Sequence, residues 1–253
     1  MDTANPTHSA APRLQAAPGG LSALGLKLLA MALMLCDHLW AALPAAPDLL
    51  THIGRIAFPI FAFQIAEGFA WTHDRKRYLL RMLAFAALSE VPFDLFYGGT
   101  VFYPFHQNVM FTFVLAILLL LGVEKFRKKG RVPYLLAAVA AVLLGYALGT
   151  VTMVDYYGCG VVTVLLFYLC RGWKWGWLPE LAGLLYLNGE VLAGEELTVF
   201  GVTFPEQGLA VLALVPILCY RGRQGSHSRA IQYACYAFYP VHMLVLALVQ
   251  RLA

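Results

Sequence analysis

The stretch Leu24–Leu43, with the sequence LGLKLLAMALMLCDHLWAAL, decides the class of this protein. It is a single apolar run that is long enough to cross a membrane, because about 20 helical residues span a hydrocarbon core of roughly 30 Å. The whole chain has the same character, since 60% of its 253 residues are hydrophobic and only 13% are charged. Soluble domains carry about 25% charged residues. The composition therefore predicts an all-α, polytopic membrane protein and excludes soluble enzymes, secreted disulfide scaffolds and disordered chains.

Nine candidate membrane spans follow a tail, residues 1–22, that is rich in Ala, Pro, Ser and Gly and is expected to be flexible. Residues 23–253 then form a single transmembrane domain. The predicted spans are Leu24–Leu43, Ile53–Trp71, Tyr78–Tyr97, Asn108–Val123, Val132–Val151, Tyr156–Cys170, Trp175–Ala193, Glu206–Tyr220 and Arg229–Gln250. The third and the seventh are the most polar of them.

The basic residues test this count of nine. If nine helices alternate in direction, 16 of the 18 Lys and Arg residues lie on one side of the membrane. Removing the polar seventh span would move the basic linker between the eighth and ninth spans to the other side. Because cytoplasmic loops carry an excess of Lys and Arg, we predict a cytoplasmic N-terminus and an external C-terminus.

Ionisable side chains at membrane depth are expensive, and each is a functional-site candidate by default. At about 1.5 Å of rise per residue, Asp37 and His38 lie roughly 20 Å from the inner face, and His242 lies at a similar depth in the ninth span. Glu67 is an exception, because it lies closer to the cytoplasm. Polar residues of other spans are expected near the level of Asp37, towards the outer face: Arg55, Glu90, Asp94, Gln107, Asn108, Asp155 and Gln207.

Each of these residues also has a purely structural explanation. A lone Asn or Gln in a membrane helix commonly joins two helices, Arg55 can reach the headgroups with its long side chain, and Asp94 or Asp155 can simply be solvated. The adjacent Asp37 and His38 are harder to explain in this way. An unpaired buried carboxylate costs several kcal/mol or takes up a proton, so a partner such as Arg55 is expected for Asp37.

A His beside a carboxylate is typical of a general base. Because adjacent helical residues point about 100° apart, Asp37 either orients His38 indirectly or pairs with Arg55 instead. The five Cys and seven His residues show no metal-ligand spacing, so no metal is predicted. Two hypotheses stay open: a membrane enzyme with His38 as its base, and a proton-coupled transporter that uses buried carboxylates as a relay.

Several short motifs occur in an order that is characteristic of one known family. They are Asp37-His38, Gly54 to Pro59 with Phe61, Glu67-Gly68, Arg81, Ser89-Glu90, Pro92-Phe93-Asp94, Gln107-Asn108-Val109, Asp155-Tyr156 with Gly158 and Gly160, Gln207, and Tyr239-Pro240 with His242. From about Lys27 to the C-terminus the chain resembles the TraX family. TraX proteins acetylate the N-terminal amine of conjugative pilin, and they are similar to a wider group of multi-span membrane acyltransferases.

The resemblance implies an acetyl-CoA-dependent N- or O-acetyltransferase in the bacterial cytoplasmic (inner) membrane. Acetyl-CoA is the implied acyl donor, and the implied acceptor is an amine or hydroxyl of a peptide such as pilin, or of a surface polymer near the outer face. The lipid bilayer is the expected surrounding, and no nucleic acid or metal is implied. Acyl chain length, acceptor identity and oligomeric state are left open.

The resemblance also implies roles for individual residues. His38 is expected to act as the base, and Arg55 or Asn108 to stabilise the oxyanion, whereas a covalent acyl group on His38 or His242 stays an open alternative. The residues implied to be catalytic are Asp37, His38, Arg55, Glu90, Asn108 and His242. Those implied to bind substrate are Asp94, Gln107, Asp155, Tyr156, Gln207 and Tyr239. The basic residues expected to contact the CoA phosphates are Arg75, Lys76, Arg77 and Arg81.

Overall fold

The chain folds into a bundle of helices, and the computed structural model describes residues 20–199, 201–226 and 228–252. The helices are α1 (Ala23–Ala42), α2 (Leu49–Gly54), α3 (Ala57–Trp71), α4 (Arg75–Tyr97), α5 (Val109–Arg127), α6 (Arg131–Val151), α7 (Tyr157–Cys170), α8 (Trp177–Leu185), α9 (Leu214–Leu218) and α10 (Arg229–Leu252). Most of the predicted tail, residues 1–19, lies outside the described residues. The helical class predicted from composition is confirmed.

Five of the nine predicted spans coincide with described helices that are long and apolar enough to cross a membrane. These are α1, the pair α2–α3, α5, α6 and α10. Helix α4, at the third predicted span, has 23 residues but a more polar sequence. Helix α7, at the sixth, is apolar but has only 14 residues. The remaining two predicted spans are also short, and their structure differs from a regular α-helix.

The seventh predicted span is helix α8 followed by a π-helical segment, Tyr186–Val191. The wider π-helical turn is closed by a hydrogen bond from the Leu192 N–H to the Leu187 carbonyl at 3.0 Å. The eighth predicted span is a 3₁₀ helix, Glu206–Ala213, followed by α9. Neither feature is visible in the hydropathy, because all three helix types present a similar apolar periodicity over so few residues.

A two-stranded antiparallel hairpin connects these segments, with strands β1 (Glu196–Val199) and β2 (Val202–Pro205). Thr198 pairs with Thr203 and Val199 with Val202. The β-branched residues favour extended structure, and Gly201, with φ of 79°, lies in the connection. This hairpin is an exception to the all-α prediction.

Helix α7 lies in the interior of the bundle, in contact with α3, α5, α6 and α8. Its apolar side chains Val161, Val164 and Leu165 are fully buried. Close approach of α6 to α7 depends on a glycine, because a Cβ on Gly149 would lie 2.7 Å from the carbonyl oxygen of Tyr157. Helix α4 packs between α5 and α10. The two helices that carry the predicted carboxylates Glu90 and Asp94 and the predicted His242 are therefore neighbours.

The helix ends meet in two groups at opposite ends of the bundle. At the first, which we call the site end, the end of α10 contacts the loop after α4 through a hydrogen bond from Arg251 to the Gly99 carbonyl at 3.3 Å. At the second, which we call the basic end, residues 21–24 run beside residues 219–224 through four backbone hydrogen bonds. Arg75 at the start of α4 pairs there with Glu124 near the end of α5 at 3.2 Å.

Candidate active site

The site is built around a pair of histidines from the two ends of the sequence. His38 of α1 and His242 of α10 lie with Nδ1 of the first 2.7 Å from Nε2 of the second. Nδ1 of His242 lies 2.7 Å from the carbonyl oxygen of Phe238. The two rings are nearly parallel, at 6°, and Tyr239, one turn before His242, is buried beside it with its ring edge-on at 63°.

These contacts determine which nitrogen carries a proton when both rings are neutral. A carbonyl oxygen only accepts, so Nδ1 of His242 must donate to Phe238, which leaves Nε2 of His242 as an acceptor. Nδ1 of His38 must therefore donate to His242. The remaining nitrogen, Nε2 of His38, holds an unshared electron pair and is available as a base or nucleophile.

Asp37 does not pair with the adjacent His38 but with Arg55, in the turn between α2 and α3. The carboxylate lies 3.2 Å from Nη2 of Arg55 and accepts a hydrogen bond from the Thr51 hydroxyl at 2.9 Å. Of the two alternatives left open by the sequence, the structure shows the second. Helix α2 approaches this closely because it presents Gly54, where a Cβ would lie 2.9 Å from Cγ of Asp37.

Arg55 is held by four groups. Its Nε donates to Glu206 at 3.3 Å, its Nη1 to Gln207 at 3.4 Å and its Nη2 to the Thr51 hydroxyl. Nη2 also forms the ion pair with Asp37. A guanidinium has five N–H donors. In the described part of the chain one N–H of Nη1 is therefore left without a protein acceptor.

Asn108 and Glu90 form a second group of the site. Asn108 caps α5, with its carboxamide oxygen accepting from the Met110 N–H at 3.0 Å. Its amide nitrogen donates to the Ala86 carbonyl at 2.9 Å and to Glu90. Both N–H groups of this carboxamide are thus engaged within the protein. Arg55, with one N–H left, is the better placed of the two residues expected to stabilise an oxyanion.

Asp94, the other predicted residue of α4, has a structural contact with the loop that follows this helix. It is 1% exposed and accepts from the backbone N–H of Tyr103 at 3.0 Å. Gln107 pairs through its backbone with Met153 and Asp155, at 3.0 and 2.9 Å. These two residues therefore join loops at the site end through contacts within the protein.

The turn before α7 carries three non-glycine residues with positive φ: Met153 at 53°, Tyr156 at 59° and Tyr157 at 49°. Such backbone conformations are costly and cluster at functional sites. Tyr156 is stacked on Phe58 of α3, with ring centroids 3.9 Å apart. Asp155, beside it, lies 3.3 Å from Nε2 of His106. The turn thus supplies both predicted residues, Asp155 and Tyr156, to the site end.

The basic residues expected to bind CoA lie at the other end of the bundle. Arg75 pairs with Glu124 and lies over the ring of Phe69. Arg81 lies 6.0 Å from the ring centre of Tyr78. Lys76 and Arg77 are in the first turn of α4, which Asp74 caps by accepting from the Arg77 N–H at 2.9 Å.

Glu67, the buried carboxylate predicted nearer the cytoplasm, also lies at the basic end and not in the histidine site. It pairs with Arg171 after α7 and accepts from the indole N–H of Trp71 at 2.9 Å. Arg171 in turn lies over the Trp71 ring, at 5.1 Å. One carboxylate oxygen of Glu67 therefore joins α3 to the residue after α7, and the other forms a bond within α3.

Sequence reasoning missed four residues that contact the site: Thr51, His106, Asn188 and Glu206. Glu206 directly precedes the predicted Gln207 at the start of a span, so its position was a usable signal. Thr51 has no such signal, because a hydroxyl one turn before an arginine is common in any helix. In the described residues, no group of three or more His, Cys, Asp and Glu side chains is arranged to hold a metal ion.

Comparison with known proteins identifies the family. The model of the TraX protein family matches residues 22–250. The chain belongs to the TraX family. This TraX protein is also 28% identical over 245 residues to the probable fimbrial assembly protein FimC, serogroup H1, of Dichelobacter nodosus, covering 89% of this chain and 94% of the relative. No solved structure matches it.

The family match confirms the resemblance seen in the motifs, which include most of the residues described above. Together with the five apolar helices of spanning length, it identifies this TraX protein as a membrane protein. The relative's name associates that protein with fimbrial assembly.

Proposed function

We propose that this TraX protein is a membrane acyltransferase that moves an acetyl group from cytosolic acetyl-CoA to an amine or hydroxyl acceptor at the site end. The observation that carries the proposal is Nε2 of His38, which has no hydrogen-bond partner among the described residues. A base in a membrane bundle needs a lone pair that the protein does not itself use, and the contact of His38 with His242 and then Phe238 leaves that lone pair available.

In the proposed topology the chain crosses the bacterial inner membrane nine times, with the N-terminus in the cytoplasm and the site end facing outwards. The two groups of helix ends support this arrangement. The basic end contains Arg75, Arg127 and Arg171, as the positive-inside rule requires of a cytoplasmic face. A short helix such as α7 is tolerated because it lies in the interior of the bundle, in contact with α3, α5, α6 and α8.

The proposed transfer uses His38 as general base. The acceptor lone pair attacks the thioester carbonyl while its proton passes to Nε2 of His38, and the collapse of the intermediate breaks the C–S bond. The departing thiolate takes the proton back from His38, so the products are the acetylated acceptor and CoA. While His38 is protonated, His242 accepts from its Nδ1–H and stabilises the imidazolium.

Arg55 has the complementary proposed role. Its one remaining N–H on Nη1 can donate to the carbonyl oxygen as negative charge develops there, which is the contribution of an oxyanion hole. Asp37 and Glu206 hold the guanidinium in place. Tyr156, Asp155 and the residues around Asn108 then form the surroundings of the acceptor.

Acetyl-CoA is a substrate in this proposal, with its phosphates attracted to the basic end. Arg75, Lys76, Arg77 and Arg81 are the proposed contacts. The acceptor is proposed to be a peptide or surface polymer, and the fimbrial assembly relative supports a subunit of a surface fibre. A proton-coupled transporter stays the alternative from the sequence.

The experiment uses purified full-length protein in proteoliposomes. Labelled acetyl-CoA is supplied on the side of the membrane that the basic end faces, and peptide amines or sugar hydroxyls are supplied on the side that the site end faces. We expect acetyl transfer by the wild type and a loss of about 100-fold or more in His38→Gln, because a general base contributes roughly 10²–10⁴-fold. His73→Gln, at an exposed position of the linker before α4, is the matched control. Full activity of His38→Gln, or substrate counterflow without any acyl donor, would contradict the proposal.

A further inference from the structure

A buried asparagine in the π-helical segment is connected to Arg55 through one intermediate residue. Asn188 is 2% exposed. Its amide nitrogen donates to the Leu184 carbonyl at 2.9 Å, and its carboxamide oxygen accepts from Nε2 of Gln207 at 3.1 Å. The oxygen of Gln207 then accepts from Nη1 of Arg55.

The direction of this chain is fixed at its first member. A carbonyl oxygen accepts only, so the NH₂ group of Asn188 must face Leu184 and its oxygen must face Gln207. That oxygen in turn requires the NH₂ group of Gln207. The oxygen of Gln207 is therefore the end that faces Arg55, which is itself a donor only.

Without Asn188 the carboxamide of Gln207 would be held in this orientation by its contact with Arg55 alone. A Gln side chain turned end for end would place its NH₂ group against the guanidinium, where two donors cannot form a hydrogen bond. Arg55 would then lose its Nη1 acceptor, and the direction of its second Nη1 N–H would no longer be fixed. That second N–H is the one left for substrate.

Asn188 lies near the start of the π-helical segment, four residues after Leu184, and so faces the same side of the helix as Leu184 and Leu187. These three residues are buried, while Glu190 is exposed. π-helical turns inside α-helices are frequently found at functional sites.

We infer that Asn188 is a positioning residue for catalysis: through Gln207 it orients the Nη1 group of Arg55 towards the acyl carbonyl. The inference rests on the proposed function, since it assigns Asn188 to the same site. It adds to that site a residue of the π-helical segment, Tyr186–Val191, which contains neither of the two histidines.

The first test compares two substitutions of Asn188 in the acetyl-transfer assay. Asn188→Asp, held as the neutral acid because a buried unpaired charge is costly, donates to Leu184 and keeps an acceptor for Gln207, so we expect its kcat within about threefold of wild type. Asn188→Leu removes both polar contacts, and we expect kcat to fall about 10-fold, which is roughly 1.4 kcal/mol of transition-state stabilisation, with KM for acetyl-CoA changed less than twofold. Glu190→Gln, exposed on the same segment, is the control. Equal losses in the Asp and Leu variants would overturn the inference.

The second test asks whether Asn188 acts through Arg55. If it does, Asn188→Leu should lower kcat by less than twofold in an Arg55→Lys background, where the oriented guanidinium is absent. A full 10-fold loss in that background would show that Asn188 acts independently and would overturn the inference. A wild type without acetyl transfer would instead reject the proposed function. In that case the wild type, the two single variants and the double variant are compared by thermal unfolding. Non-additive shifts in Tm would support the inference, and additive shifts would overturn it.

Discussion

Two carboxylates share one guanidinium in this site, and this arrangement makes a quantitative prediction at the scale of single residues. Asp37 and Glu206 each contact Arg55, at 3.2 and 3.3 Å. Removing the only partner of a buried charge costs about 3–5 kcal/mol. Asp37→Asn or Glu206→Gln alone leaves Arg55 with one carboxylate, so we expect each to cost less than about 1.5 kcal/mol in detergent unfolding.

The double variant Asp37→Asn with Glu206→Gln leaves the guanidinium without any carboxylate, and we expect the full loss of about 3–5 kcal/mol. The two effects are therefore expected to be strongly non-additive, as for residues that share a partner. Asp48→Asn, whose carboxylate contacts Trp40 at the surface, serves as the control. Additive losses would show that the two carboxylates act on separate partners.

His242 gives a second prediction at this scale, because its ring forms a hydrogen bond with the ring of His38. His242→Phe keeps a ring of similar shape but removes the acceptor for the His38 Nδ1–H. We expect kcat to fall about 10- to 100-fold, less than in His38→Gln, since the base itself is retained. Val241→Ala, at the exposed neighbouring position of α10, is the matched control. A larger loss in His242→Phe than in His38→Gln would indicate that His242 is the reacting residue.

At the scale of elements, the approach of α2 to α1 depends on Gly54. A Cβ there would lie within 2.9 Å of two atoms of the Asp37 carboxylate, so Gly54→Ala must push α2 away and lengthen the contact between Asp37 and Arg55. We expect a lower Tm and a kcat reduced at least about 10-fold. Gly122→Ala in α5, where nothing lies within 4 Å, is expected to be neutral or stabilising because Ala favours helix. Equal behaviour of the two variants would contradict a tight contact at Gly54.

The elements also show what the sequence could and could not predict. The depth of Asp37, Arg55, Gln207 and His242 followed from counting residues along apolar helices, and the structure brings these residues together through the hydrogen bonds of Arg55 and His38. The hydrogen-bonding partner of each residue could not be predicted from this count. Asp37 and His38 are adjacent but point in directions about 100° apart, so their partners come from different helices, which only tertiary packing decides.

The π-helical turn and the hairpin were missed for different physical reasons. A π-helical turn changes the rotation of side chains without changing composition, so it has no signal in the hydropathy. The hairpin had a signal in the β-branched residues Thr198, Val199, Val202 and Thr203 around a glycine. Its strands have only four residues each, so a search for apolar runs of spanning length does not register them.

At the scale of the whole molecule, the distribution of charge between the two ends makes the topology testable. Single cysteines at residue 2, Lys128, Thr198 and Leu252 are introduced into a variant whose native cysteines are replaced by Ser. In intact cells we expect a membrane-impermeant maleimide to label Thr198→Cys and Leu252→Cys, at the site end, but to label the other two only after permeabilisation.

The labelling also tests the role of the short helices. The termini are on opposite sides only if the number of crossings is odd. The proposed nine crossings require α4, α7 and the two segments on either side of the hairpin to cross as well as the five apolar helices of spanning length in the described residues. If residue 2 and Leu252 are labelled from the same side, at least one of these segments does not cross. Because Thr198 lies between the seventh and eighth crossings, its side identifies which half of the chain is responsible. Labelling of Thr198 from the cytoplasm would place Glu206, and hence the site built on Arg55, on the same side as acetyl-CoA.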